Sequence, residues 1–72
     1  MVDVDAYLGK VLNDEGWQDR LGDSDAVTTV IQALEALLPA GTAIPQAEAD
    51  RIDALLHGTL GAQAIVQALK PA

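Results

Sequence analysis

The chain reads as a single all-α domain over residues 1–72, a small bundle of four short helices. Three observations predict it. Apolar residues recur at helical spacing in four separate segments. Glycine and proline fall near the ends of those segments. No stretch alternates polar and apolar residues as a half-buried strand would. A three-helix bundle with a loose terminal segment is the nearest alternative.

The first helix is expected from about Asp3 to Asp14. Val4, Leu8, Val11 and Leu12 share one face, with Tyr7 beside them. Asp3 and Asp5 put negative charge at its positive end, and Gly16 is the expected stop. Gly9 weakens this helix by about 1 kcal/mol relative to Ala, which a close approach by another helix would explain. Trp17 falls in the connection that follows.

The second helix runs from about Ser24 to Leu38. Val27, Val30, Ile31, Leu34, Leu37 and Leu38 form a broad apolar stripe, and Pro39 and Gly41 end it. Asp23, Ser24 and Asp25 all suit the cap or first turn. The third helix starts at Pro45, whose missing N–H costs nothing at the first helical position. Ala49, Ile52, Leu55 and Leu56 face inward, His57 lies in the last turn and Gly58 stops it. Thr59 is the expected cap of a fourth helix, with Ala62, Ile65, Val66 and Leu69 inward and Pro71 as its end.

Composition bounds the function. The chain has no Phe or Cys and a single Trp and Tyr. Its core must be aliphatic and small, so self-association into a homo-oligomer is one expected source of stability. The formal net charge is −7, with an isoelectric point near 4.1. The four bases, Lys10, Arg20, Arg51 and Lys70, are scattered, whereas nucleic-acid binding needs them clustered. A protein partner with a basic surface fits better, and an anionic membrane does not. Without cysteine, a basic-then-apolar leader or a run near the ~18 apolar residues of a membrane span, a cytoplasmic protein is expected.

Candidate chemistry is sparse. His57 is the sole histidine and reads as a helix-terminus cation. Asp23-Ser24-Asp25 does not meet the ligand count of a calcium loop, and no metal site is expected. Asp14 and Glu15 read as a solvated acidic face. No nucleophile–base pair can be named, so an enzyme is not expected. Trp17 suits either the rim of a docking surface, where Trp is enriched, or the plug of an aromatic-poor core. The second is favoured because aromatics dominate core burial.

One set of residues points further. Trp17 precedes Leu21-Gly22, and Asp23-Ser24 follows at the start of the second helix. Ala33-Leu34-Glu35 comes next, then Ile44-Pro45 and Ala49-Asp50-Arg51-Ile52. In this order the stretch from residue 17 to 52 resembles the acyl and peptidyl carrier proteins. The resemblance implies four helices, high acidity and a 4′-phosphopantetheine cofactor carried on Ser24. It also implies that the acidic start of the second helix meets basic patches on partner enzymes. Asp25 stands where that family has Leu, a residue between the Gly and the Asp is missing, and the segment ahead of the serine is shorter.

The leading expectation is a non-catalytic protein–protein interaction module: an acidic docking, adaptor or inhibitor domain using Asp23, Asp25 and Trp17. The alternative is a divergent acyl or peptidyl carrier protein bearing its cofactor on Ser24.

Overall fold

The first three helices of this protein each start at an aspartate cap, Asp3, Asp14 and Asp23. The computed structural model describes residues 1–70. In chain order the elements are β1 (Val2–Asp3), α1 (Val4–Leu12), α2 (Glu15–Leu21), α3 (Ser24–Leu37), β2 (Ala43–Ile44), α4 (Gln46–Leu56) and α5 (Ala62–Leu69). The described residues therefore form a mostly helical domain of five helices and one two-residue ribbon, not a bundle of four.

The additional helix is α2. Helix α1 starts at the Asp3 cap, whose carboxylate accepts from the Ala6 N–H at 2.9 Å. It stops at Leu12, two residues earlier than expected. Asn13 closes it, its backbone and side-chain N–H groups both donating to the Gly9 carbonyl. Asp14 then caps α2 by accepting from the Gly16 N–H at 3.0 Å. Gly16 thus sits in the first turn of a helix and does not end one. Gly9 meets no neighbour where its side chain would stand, so no helix approaches closely there. Gly22 ends α2 with φ of 71°, a left-handed conformation that favours glycine.

The remaining boundaries follow the sequence closely. Helix α3 begins at Ser24 and ends at Leu37, with Leu38 at its C-cap. Pro45 is the N-cap of α4, one position before the first helical residue. Its carbonyl accepts from the Glu48 and Ala49 N–H groups. Helix α5 starts later than expected, at Ala62 after a Gly61 cap, and Thr59 does not cap it. Arg20 gives the physical reason: its guanidinium donates to the carbonyls of Leu56 and Leu60. That bridge loops out the chain between the two helices. Pro71 lies outside the described residues.

The ribbon pairs Val2 with Ile44 and Asp3 with Ala43 in antiparallel register. The Val4 N–H extends it by donating to Thr42 at 2.9 Å. Two residues per strand are too few to show a period, so the sequence carried no β signal.

The core joins all five helices. Its members include Val4, Tyr7 and Val11 of α1, Trp17 of α2, Val30 and Leu34 of α3, Ile52 and Leu56 of α4, and Ile65 and Leu69 of α5. Leu8, Val27, Ile31, Leu37, Leu55, Ala62 and Val66 pack around it, half-buried. Helix α3 is central and packs most extensively on α5. Leu12, expected on the inner face, is 47% exposed. One residue past Val11, it swings off that face as the helix ends. The radius of gyration is 11.3 Å, close to the ~11 Å of a compact chain of this length.

Candidate functional site

The corner between α2 and α3 gathers the residues singled out from the sequence. Gly22 turns the chain, Asp23 follows in an extended conformation, and Ser24 opens α3. Asp23 is the cap. Its carboxylate accepts from the Asp25 N–H at 2.9 Å, and its carbonyl accepts from the Val27 N–H at 3.0 Å. Ser24 therefore occupies the first helical position and does no capping. Asp23, Ser24 and Asp25 are all exposed. Asp23 and Ser24 edge a shallow open groove that Gln18, Asp19, Gly22, Val27 and Thr28 complete.

Trp17 lies beneath this corner, not on it. It is 1% exposed, and its indole N–H donates to the Val11 carbonyl at 3.0 Å. Its ring is unavailable to a partner, which removes it from the expected docking residues. Asp19, two residues further on, is exposed and lines the groove.

The charges divide unevenly between inside work and open surface. Arg20 bridges the end of α4 to the following loop. Arg51 pairs with Glu48 and donates to the Ala68 carbonyl at 3.0 Å, fastening α4 to the last turn of α5. Hydrogen bonding from Arg51 holds Glu48 below the ordinary carboxylate range. Both arginines thus satisfy helix-end carbonyls. Most of the eleven acids are exposed, and only Asp14, Glu48 and Asp53 are partly buried.

His57 is the C-cap of α4, as its reading as a helix-terminus cation implied. It does more than that. Its ring bridges the Asp53 carbonyl and the Asp14 carboxylate. Asp14 is therefore a cap and an ion-pair partner, not a member of a solvated face. Tyr7 donates to the Asp53 carboxylate at 2.7 Å. Burial, then the bond and charge of Asp53, push its ionisation far above the usual tyrosine range. Both ring nitrogens of His57 are engaged, and neither faces a hydroxyl. The Tyr7–Asp53, Arg20–Leu56 and His57–Asp14 contacts link residues 36 to 46 positions apart, so no local motif announces them.

Among the described residues no group of three or more His, Cys, Asp or Glu side chains is arranged to hold a metal ion. No described helix is long and apolar enough to cross a membrane. Comparison with protein-family models, curated proteins and solved structures finds no match.

Proposed function

We infer that this domain is a non-catalytic protein–protein interaction module that docks a partner with a basic surface at the α2–α3 corner. One observation carries the reading. The arginines and the histidine are engaged in holding helix ends together, while Asp19 and Asp23 stand exposed on one groove and Asp25 is exposed one residue past Ser24. Opposite potential steers a basic partner to such a surface and sets the register of docking. Rim charges act more on encounter rate and selectivity than on final affinity. Binding should therefore be fast and sensitive to salt.

A short oligolysine peptide tests the assignment as a surrogate basic surface. Backbone amide shifts should concentrate between Asp19 and Thr28. They should vanish in the Asp23→Lys/Asp25→Lys variant and at high salt. Shifts spread evenly over every exposed acid would remove the corner from its proposed role.

A second reading rests on Ser24. Its exposed place at the start of α3, directly after the Asp23 cap, suits a residue that carries a 4′-phosphopantetheine arm. That group, when attached, supplies a thiol for thioester linkage. Asp25 puts a charge where the modifying transferase meets an apolar side chain in the carrier family, and burying an unpaired carboxylate there is costly. Intact mass after incubation with coenzyme A and a broad-range phosphopantetheinyl transferase separates the readings. Docking predicts unchanged mass. Stoichiometric gain of one phosphopantetheine, lost in Ser24→Ala, would establish the carrier.

A further inference from the structure

We propose that Asp14 and His57 form a pH-operated clasp, closed when the imidazole is protonated, that fastens the α1–α2 corner to the C-terminal end of α4. The reason is proton count. His57 Nδ1 lies 3.0 Å from the Asp53 carbonyl oxygen, and Nε2 lies 2.7 Å from Asp14 Oδ2. Both facing atoms are acceptors only. A neutral imidazole has one N–H and can satisfy one of them, leaving a lone pair against the other. The imidazolium has two and satisfies both. The observed geometry therefore belongs to the charged ring.

The surroundings favour that state. Asp14 faces the ring from the α1–α2 corner and Asp53 from α4 itself, and both draw the proton toward His57. Lys10, in the last turn of α1, acts on Asp14 in the same sense as His57. Tyr7 holds the Asp53 carboxylate on the α1 side and stays neutral. A positive ring at the C-terminal end of α4 also complements the helix dipole.

The clasp has a local mechanical consequence. Asp14 uses its two oxygens separately: Oδ1 caps α2 through the Gly16 N–H and Oδ2 holds His57. Among the described residues this pair is the hydrogen bond that ties the N-terminal end of α2 to α4. The rest of α2 is held by the burial of Trp17 and by Arg20. Loss of the ring proton frees the start of α2 and leaves the core intact. The hydrogen bond to Asp14, then the bond to the Asp53 carbonyl, hold the His57 pKa above its ordinary 6.5 against partial burial. The clasp therefore stays closed at that pH and below it for as long as Asp14 remains a carboxylate, and opens as pH rises through the raised value.

The test uses the full chain, with Asp14→Asn and His57→Gln as variants. Asn caps a helix as well as Asp does, so Asp14→Asn removes the charge and keeps α2. The ring protons of His57 are titrated by NMR, and exchange of the Gly16 to Gln18 amides is followed over the same range, corrected for intrinsic rate. The wild-type midpoint should lie above that of Asp14→Asn. Protection at those amides should fall several-fold as pH passes the wild-type midpoint, and the step should be missing in His57→Gln. Equal midpoints in wild type and Asp14→Asn, or protection that ignores the midpoint, would overturn the proposal.

Discussion

Asp23 and Ser24 are adjacent, exposed and both short polar residues, yet they do different things. Asp23 accepts a first-turn N–H and Ser24 does not. Asp23→Ala should cost about 1 kcal/mol, the usual loss of a helix cap. Ser24→Ala should change stability by less than about 0.5 kcal/mol, as exposed substitutions do. Urea unfolding of both variants checks the pair, and equal losses would mean that Ser24 shares the cap. Three candidate residues, Asp23, Ser24 and Asp25, were legible from their place before an apolar stripe. Trp17 could be read two ways, because a lone aromatic between helices suits both rim and core. Arg20, Arg51 and the His57–Asp14 pair escaped sequence reasoning for a different reason. Arg20 and the His57–Asp14 pair bond across the fold, as does Arg51 to the Ala68 carbonyl, and nothing in their neighbours encodes those partners.

Among the elements, α3 and α5 pack on each other most extensively. Leu34 is buried mid-helix at 1% exposure. Leu34→Ala should cost about 2–5 kcal/mol, a transfer loss plus an unfilled cavity. That approaches the whole stability of a small domain, and thermal unfolding should show a much lower or absent transition. An unchanged midpoint would place Leu34 outside the core. The same helix was the most legible, with six apolar residues at helical spacing and Pro39 beyond. Helix α2 was the least legible. It has seven residues and buries one of them, too little for a periodic pattern. Its Asp14-Glu15-Gly16 start also resembles the end of a preceding helix.

The α2–α4 contact gives a pH signature at this scale. The folded pKa of His57 is raised, so its contribution is full below 6.5 and fades as pH climbs through the folded value. The folded pKa of Asp14 is lowered, chiefly by the His57 bond and then by the Gly16 N–H. Its contribution is present above 3.8 and fades as pH falls through the lowered value. Melting temperature should therefore be highest between these limits. Asp14→Asn should flatten the alkaline limb near neutrality, and an unaltered limb would deny the pair a role in stability.

The molecule as a whole is a small aliphatic core inside a strongly acidic shell. Far-ultraviolet circular dichroism should be dominated by helix, since among the described residues the only strand pairing is the two-residue ribbon at Val2–Asp3 and Ala43–Ile44. Sedimentation velocity tests the expected self-association: a dimer at micromolar concentration supports it, and a monomer throughout the accessible range removes it. Charge was the whole-molecule property most legible in the sequence. Its arrangement was not, because only folding reveals that the arginines face helix ends while Asp19, Asp23 and Asp25 face water. Capture from an extract of the native host tests docking most directly, using wild type beside the Asp23→Lys/Asp25→Lys variant at about 50 mM and about 0.5 M salt, conditions that differ severalfold in screening length. Docking through the corner predicts a partner with a basic surface that wild type holds at low salt only, and that the variant loses while keeping its helical spectrum. A partner retained equally by both proteins at both salt concentrations would contradict it.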